Sequence, residues 1–479
     1  MNWRSILKIF GFLLLLLAVS MVWPLYWAVH YGTADWRAFA ISIPVVGIPG
    51  FLLFSTKDEL SVGVRDSYFI VTGGWIVCSI AAAIPFILSG VLSNPVDALF
   101  EAMSGFTTTG ASVMPVVEVP AAGILFWRSY LNWLGGMGMI LLLLAVLPKL
   151  GLGSTHLYRA EVPGIEVERI TPRLRKTASV LWAIYGGMTL AQTLLLCLAG
   201  MSLYDALIHS LSTVATGGFS NRNLSVGAYP SPWVHYIIMA FMFIAGLNFS
   251  LFYRAIREKS LRPIWEDKEA RMYVGIILTA ILIITLNIAA EVGAGNALHQ
   301  ASFQVVSIIT TSGFSTTDFN LWPDLSRAVL LVLMFVGACA GSTGGSVKMV
   351  RYLVVFKSIF REFGQMIHAR AVLPVRIGKH VIPENVVRST VVFTITYLGC
   401  ALIGTFYMLG LGLDMVSSVS AVAATLGNIG PGLNIVGPMS SFASIPVSGK
   451  VLLTFLMLLG RLELFTVLVC FAPAFWRKR

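Results

Sequence analysis

The fold is decided by four short stretches that each read Thr-x-Gly: Thr108-Thr109-Gly110, Thr216-Gly217-Gly218, Thr311-Ser312-Gly313 and Thr425-Leu426-Gly427. Each stretch ends an apolar segment that is too short to cross a bilayer, and longer apolar segments flank it on both sides. A pattern that recurs four times along one chain indicates an internal fourfold repeat, which takes precedence over other signals in choosing a fold.

The copies are aligned by polar residues at fixed distances from their glycines. Asp97 stands thirteen residues before the glycine of the first copy, and Asp205 and Asp414 stand at the same distance in the second and fourth copies. The third copy lacks this aspartate, but Ser307 precedes its glycine by six residues, as Ser104 does in the first copy. This alignment places all four copies on the same side of the membrane.

Four such strands around one axis would form a cation filter. Extended backbone leaves carbonyl groups without partners, which at membrane depth is tolerated only beside water or inside protein. Rings of carbonyl oxygens can replace the hydration shell of a monovalent cation, as in potassium-channel filters, and glycine permits the backbone angles this needs. A single Thr-x-Gly is more often a turn or a helix-packing site, but four copies in register favour a filter.

The composition is that of a membrane protein. Of 479 residues, 57% are hydrophobic and 11% are charged, against roughly 25% charged in soluble domains. The five cysteines lie in apolar stretches without Cys-x-x-Cys spacing, which indicates neither a disulfide framework nor a zinc site. Apolar blocks of about 20 residues predict ten spans, at 6–30, 37–54, 67–91, 123–148, 178–200, 232–254, 273–291, 327–356, 389–411 and 448–474.

The basic residues orient the chain in the bilayer. With the N-terminus inside, 26 of the 33 Lys and Arg residues fall in cytoplasmic segments, and the outer segments contain only Arg222. This asymmetry predicts that both termini are cytoplasmic, and it assigns the basic balance to topology and lipid headgroups rather than to nucleic acid. The outer segments carry carboxylates such as Asp97 and Glu101, which we expect to concentrate cations at the mouth.

The predicted fold class is therefore an all-α integral membrane protein. Its core is a single-chain, pseudo-fourfold pore, in which each repeat consists of a span, a short pore helix and a second span. The predicted units are two additional N-terminal transmembrane helices at 1–62 and four pore repeats at 63–150, 174–258, 268–362 and 383–479.

A break is predicted in the second span of the third repeat. Gly341-Ser342-Thr343-Gly344-Gly345 places three glycines within five residues of an apolar segment, which should interrupt a helix. The segment is either a flexible kink or an intramembrane loop that blocks the path beneath the filter and moves aside on activation. It is not a phosphate loop, because the pattern Gly-x4-Gly-Lys-Ser/Thr is absent.

Charged residues inside the spans are further candidates. Arg461 and Glu463 lie mid-span, where a charge is costly unless it is paired or hydrated. They form either a structural ion pair or a gate in which Arg461 projects into the pore and slows cation exit. We expect Lys348 and Arg351 to be cytoplasmic anchors, and Arg128 to snorkel or to pair with an outer carboxylate.

No set of residues in the sequence has the types and spacing of a known catalytic site. A Ser/His/Asp set, a metal cluster and paired carboxylates are all missing from the pattern, so we predict a protein that is not an enzyme and binds no cofactor. His209 occupies the pore-helix position that Glu101 holds in the first repeat, and we interpret it as a packing residue. Asn132 and Asn248 either hydrate the cavity or bond between helices.

The chain resembles a known family, the Trk/Ktr/HKT superfamily of potassium transporters, with the strongest likeness to the bacterial TrkH/TrkG membrane subunits. The likeness covers essentially the whole chain. It rests on the stretches 107–112, 215–220, 310–315 and 427–432 around the glycines, and on Ala340 to Lys348 and Gly460-Arg461-Leu462-Glu463.

The resemblance implies properties that the residue patterns alone do not supply. It implies potassium uptake across the bacterial inner membrane, a homodimer, and a cytoplasmic ring of TrkA-like nucleotide-binding subunits that gates the pore. In this family a serine at the first filter glycine accompanies sodium transport, so Gly110 favours potassium. Leu426 in the fourth copy and the missing aspartate in the third depart from strict fourfold symmetry.

An ion-coupled symporter is the alternative to a selective, gated pore. Carriers of that class often have inverted repeats and binding sites near the midplane, whereas the four repeats here share one orientation. Coupling to protons or sodium stays open at this stage, and Glu463 is a conceivable titrating group.

Overall fold

The structure is a computed structural model that describes residues 1–56, 62–118, 121–138, 174–368, 370–378 and 380–477. It is predominantly helical, with one short hairpin formed by β1 (Arg376–Ile377) and β2 (His380–Val381). The predicted all-α architecture is confirmed. The helices are α1 (Trp3–Ser20), α2 (Val22–His30), α3 (Trp36–Phe54), α4 (Val64–Leu88), α5 (Pro95–Phe106), α6 (Ala122–Gly136), α7 (Leu174–Leu198), α8 (Leu203–Val214), α9 (Pro232–Ala245), α10 (Phe249–Glu258), α11 (Arg262–Glu266), α12 (Lys268–Val292), α13 (Ala294–Ile309), α14 (Asp324–Phe335), α15 (Met349–Ile367), α16 (Glu384–Gly410), α17 (Met415–Leu426), α18 (Val447–Arg461), α19 (Phe465–Phe471) and α20 (Pro473–Trp476).

The N-terminal helices pack as a close pair. Helices α1 and α2 together form one apolar helix, Trp3–His30, that is long enough to span a membrane, and α3 returns beside it. Gly11 and Gly50 lie at the contact: a β-carbon on Gly11 would lie 2.7 Å from the carbonyl oxygen of Gly50. Small residues allow this approach, which is a common basis of helix association in lipid.

The rest of the described chain forms four similar units. Each described unit has a long first helix, a short pore helix, a loop and a second helix that begins on the outer side. The units are α4–α5–α6, α7–α8–α9/α10, α12–α13–α14/α15 and α16–α17–α18/α19.

The helices that could span a membrane account for most of the predicted spans. Among the described residues six helices are long and apolar enough, or up to eight if each sharply bent pair is one span. The predicted spans 123–148 and 327–356 begin as α6 and α14. The first of these runs into residues 139–173, which lie outside the described residues.

Breaks in the second helices are more widespread than the sequence predicts. The pair α9/α10 bends by 94° and the pair α18/α19 bends by 119°. At the second of these bends Glu463 and Leu464 adopt positive φ angles of 52° and 42°, although neither is glycine. The sequence signalled only the break in the third repeat, because that break alone is rich in glycine.

Hydrogen bonds on the outer side join each unit to the next in a closed cycle. Val117 N donates to Asn223 Oδ1 (2.8 Å) between units one and two, and Gly227 N donates to Ser315 O (3.1 Å) between units two and three. Units three and four are joined by Asn434 N and Asn320 Oδ1 (2.9 Å), and units four and one by Phe442 N and Ser112 O (2.8 Å). The four units therefore surround a common centre.

Several outer carboxylates are ion-paired. Glu101 contacts Arg128 Nε at 2.6 Å, and both side chains are almost fully buried. Asp97 contacts Lys450 at 2.8 Å. Paired carboxylates contribute little negative potential, so the acidic mouth expected from the sequence is weaker than predicted at Asp97 and Glu101. Of the two roles considered for Arg128, pairing with an outer carboxylate is the one observed.

The Glu101–Arg128 pair gives a stability prediction. We expect Arg128→Leu to destabilise the protein by about 3–5 kcal/mol, because it leaves the Glu101 carboxylate buried without its partner. Adding Glu101→Gln should recover much of that loss. The measurement is thermal unfolding of the purified protein in detergent.

The matched control is Glu266→Gln, which removes an exposed ion pair with Arg262 and should change stability by less than about 1 kcal/mol. An Arg128→Leu variant that unfolds at the control's temperature would contradict the assignment.

Candidate functional site

The four loops that follow the pore helices share one backbone conformation. Each contains a non-glycine residue with positive φ, followed two positions later by a glycine with positive φ. Residues other than glycine rarely adopt such angles. The pairs are Thr108 (53°) and Gly110 (75°), Thr216 (55°) and Gly218 (71°), Thr311 (59°) and Gly313 (74°), and Asn428 (53°) and Gly430 (102°). We call residues 108–110, 216–218, 311–313 and 428–430 the ring loops.

The pore helices hold the ring loops by equivalent hydrogen bonds. In the first repeat Thr108 N donates to Gly105 O (3.0 Å) and Thr109 N donates to Ser104 O (2.9 Å). The last bond recurs in every repeat, as Gly217 N to Ser212 O (2.8 Å), Ser312 N to Ser307 O (2.9 Å) and Ile429 N to Ala424 O (2.8 Å).

The fourth loop lies three residues beyond its predicted position. Thr425 and Leu426 are the last residues of α17, and Gly427 has a right-handed helical conformation, so the predicted stretch Thr425-Leu426-Gly427 is helix end rather than loop. The alignment failed because Asp414 is the N-cap of its helix, accepting from Ser417 N at 3.0 Å, whereas Asp97 is the third residue of α5. Aspartate is favoured at both places, and the offset between them is three residues.

The ring loops contact one another in cyclic order through their glycines. A β-carbon on any of these glycines would collide with a carbonyl oxygen of the next loop, so both the positive φ and the close approach require glycine. The contacts are Gly110 with Gly217 O, Gly218 with Ser312 O, Gly313 with Ile429 O, and Gly430 with Thr109 O, which completes the ring.

The carbonyl oxygens of the ring loops accept no hydrogen bond from any residue that the structure describes. The ring-loop residues are buried except for Gly110, Gly218 and Gly313, which are partly exposed, and a buried carbonyl without a partner is unfavourable. Water or a cation at this place would supply the missing partner. A ring of such oxygens is suited to binding a dehydrated monovalent cation.

An open cavity of about 310 Å³ lies directly outside the ring. All four ring glycines contribute to its wall, together with polar side chains that include Ser112 and Ser220. The cavity therefore gives solvent and ions access to the outer face of the ring.

Polar side chains on the pore helices fasten the segments that follow the ring loops. Glu101 accepts from Val113 N (2.9 Å), and His209 contacts Ser220 Oγ through Nε2 (3.1 Å). The sequence reading of His209 as a packing residue therefore missed a polar role. Its alignment with Glu101 was the signal that could have found it.

A non-helical segment lies on the other side of the ring. Residues 336–348, which we call the inner loop, separate α14 from α15. Thr343 Oγ1 donates to Val214 O (3.1 Å) in the second repeat, and Gly345 N donates to Thr311 Oγ1 (2.7 Å) in the third. Gly345 also packs against Asn428 of the fourth repeat. Of the two alternatives for Gly341 to Gly345, the geometry is that of a loop beneath the ring.

Arg461 connects the inner loop to the first repeat. Its Nη1 donates to Thr343 O (2.7 Å) and to Thr108 Oγ1 (3.1 Å). Its Nη2 donates to Gly135 O (2.7 Å) and Gly136 O (2.8 Å), at the end of α6. The inner loop and Arg461 together thus contact all four repeats at the level of the ring.

Three more charged residues lie in or beside the inner loop, and two of them, Lys348 and Arg351, are buried. Arg351 pairs with Glu463 and lies 3.9 Å from the centroid of the Phe393 ring. Lys348 is 2% exposed and donates to Gly344 O within the loop. The prediction that Lys348 and Arg351 are cytoplasmic anchors is wrong, because the loop keeps this part of the chain inside the protein. The structural ion pair of Glu463 is made with Arg351.

The uncharged candidates bond between helices or cap them. Asn132 Nδ2 lies 3.3 Å from Ser212 Oγ, and its side chain packs on Gly217. Asn248 caps α10 by accepting from Ser250 N (2.9 Å).

Comparison with known proteins places the chain in a family. The TrkH family model, described as a cation transport protein, matches residues 36–478. The chain is 39% identical to the Trk system potassium uptake protein TrkH of Halomonas elongata and 38% identical to that of Escherichia coli, over 100% of both chains in each case.

A solved structure of the same family is also similar to the chain. The crystal structure of the potassium transporter TrkH from Vibrio parahaemolyticus matches with a TM-score of 0.89 and 35% identity, covering 100% of both chains. The resemblance noted from the sequence is confirmed. The chain belongs to the TrkH family of cation transport proteins, a family of transporters rather than enzymes.

Proposed function

We propose that the protein takes up potassium through a selective pore whose filter is the ring loops. The observation that carries the proposal is the closed ring of buried carbonyl oxygens without hydrogen-bond donors in the described chain. The relatives, which are named for potassium uptake, support the choice of ion. The membrane potential would drive uptake with about 2.3 kcal/mol per charge per 100 mV.

The proposed filter keeps three of the four predicted stretches and replaces the fourth. Its oxygens come from 108–110, 216–218, 311–313 and 428–430, the last in place of 425–427. Selectivity for potassium over sodium is expected because every ring position that needs glycine has it, including Gly430.

We also propose that the inner loop is the gate. Residues Gly341 to Gly345 lie next to the ring loops of the third and fourth repeats and to the end of pore helix α8, and Arg461 joins them to the ring loop of the first repeat. A positive charge that close to the ring opposes cation exit. Displacement of the loop would open the path.

The setting of the pore is proposed from the family and the charge pattern. The protein would lie in the bacterial inner membrane with both termini in the cytoplasm, as a homodimer that contacts a cytoplasmic TrkA-like nucleotide-binding ring. The relatives are named as parts of a Trk system, which supports a regulatory partner.

Transport by the purified protein tests the function directly. Proteoliposomes should take up rubidium-86, and excess sodium should inhibit this uptake only weakly. The reversal potential should follow the potassium gradient alone. A reversal potential that shifts with a pH or sodium gradient would instead support the coupled symporter.

Substitution of the ring glycines tests the filter and its register. We expect Gly110→Ser and Gly430→Ser each to lower the potassium-to-sodium permeability ratio, on the order of tenfold, because the added side chain displaces a carbonyl of the next loop. The measurement is the ratio of permeabilities from reversal potentials.

Matched controls are Gly90→Ser and Gly412→Ser. Both glycines have positive φ but open space around them, so these variants impose the backbone strain without the collision. Equal effects of Gly430→Ser and Gly412→Ser would show that residues 428–430 are not the filter of the fourth repeat.

Loss of Arg461 tests the gate. Arg461→Ala removes a charge and the bonds that join the inner loop to the first repeat, so basal rubidium flux should rise on the order of tenfold. Deletion of Gly341 to Gly345 should act in the same direction. Arg262→Ala, at an exposed arginine, is the control. Unchanged or lower flux in a normally folded Arg461→Ala variant would exclude the gate assignment.

A further inference from the structure

Glu269 is a buried carboxylate that the filter and the gate described above do not use. It is the second residue of α12 and is 8% exposed. Its Oε1 accepts two backbone hydrogen bonds, from Ala340 N at 2.7 Å and from Val350 N at 2.8 Å. One oxygen of one side chain therefore binds two points of the chain that are ten residues apart.

The two donors lie on either side of the gate. Ala340 immediately precedes Gly341, and Val350 is the second residue of α15. Amide groups in the first turn of a helix have no partner within that helix, and a negative charge is favoured there by the helix dipole. The carboxylate of Glu269 thus caps α15 and also binds the chain at Ala340. We call the segments around Ala340 and Val350 the two arms of the inner loop.

Backbone hydrogen bonds also join the two ends of the inner loop to each other. Met349 N donates to Ala338 O (3.1 Å) and Gly337 N donates to Val347 O (3.0 Å). Both bonds are internal to the inner loop and its flanks. Glu269 lies in the first turn of α12, so its hydrogen bonds fix these ends of the inner loop to a different helix.

We propose that Glu269 is a positioning residue that clamps both arms of the inner loop and so holds the gate closed beneath the ring. The inference rests on the proposed gate. Within the clamped segment Lys348 donates to Gly344 O, so the tip of the loop is held from inside while its arms are held by Glu269. Release of the arms would let the loop move without breaking either helix.

Substitutions at Glu269 separate its position from its charge. Glu269→Gln keeps an oxygen at the same distance and can still accept both amides, so its basal flux should stay within about twofold of wild type. Glu269→Asp keeps the charge at the start of α12 but withdraws the oxygen by one methylene. Asp and Ala variants should therefore raise basal rubidium flux alike, roughly tenfold, which corresponds to about 1.4 kcal/mol.

The experiment measures rubidium-86 flux in proteoliposomes that contain the full chain, beside Arg461→Ala and the control Glu266→Gln. Each variant is first checked for wild-type thermal unfolding; if Ala fails this check, Asp and Gln alone decide. High flux in Asp with near wild-type flux in Gln supports the clamp. High flux in Gln with wild-type flux in Asp shows that charge matters rather than position, and overturns it.

Two further outcomes distinguish the clamp from the gate on which it rests. Wild-type flux in every Glu269 variant, with raised flux in Arg461→Ala, overturns the clamp and leaves the gate standing. Wild-type flux in all of them, Arg461→Ala included, overturns the gate and the clamp together.

Discussion

Peptide oxygens that face no donor in the described part of the chain are the feature around which the rest of the molecule is arranged. In lipid every backbone group needs a partner, yet the ring loops direct N–H groups to the pore helices and leave their oxygens open. That arrangement is stable only if water or a cation reaches them. The outer cavity gives access from one side, and the inner loop, the proposed gate, lies on the other.

The ring also explains why a single chain needs four copies of one unit. Each ring glycine lies against a carbonyl of the next loop, so no loop can hold its conformation without its neighbour. Outer hydrogen bonds repeat the same cyclic order. The buried Glu101–Arg128 pair holds the segment that follows the first ring loop and contacts Ser220 O of the second repeat. The geometry of the ring is therefore a property of the whole cycle rather than of any one loop.

The repeat could be read from the sequence because close backbone contacts admit only glycine, and glycine leaves a visible pattern. The fourth register could not, because an aspartate serves equally well as the N-cap of a helix and in its first turn. Breaks at Asn248 and Glu463 were also missed, since their bends rest on capping and tertiary contacts. Lys348 looked cytoplasmic for a related reason: hydropathy does not show that a loop folds back into the protein.

The inner loop has no regular secondary structure, so several of its amide groups find partners in elements outside the loop. Gly345 N is bonded to Thr311 Oγ1, Cys339 N to Gly246 O and Ala340 N to Glu269. Opening of the proposed gate would break such bonds, and in a dry interior each lost bond would cost about 1–3 kcal/mol. Water that enters with the ion can replace them. A loop beside the proposed hydrated filter can therefore move at a lower free-energy cost than the same loop would if it faced lipid.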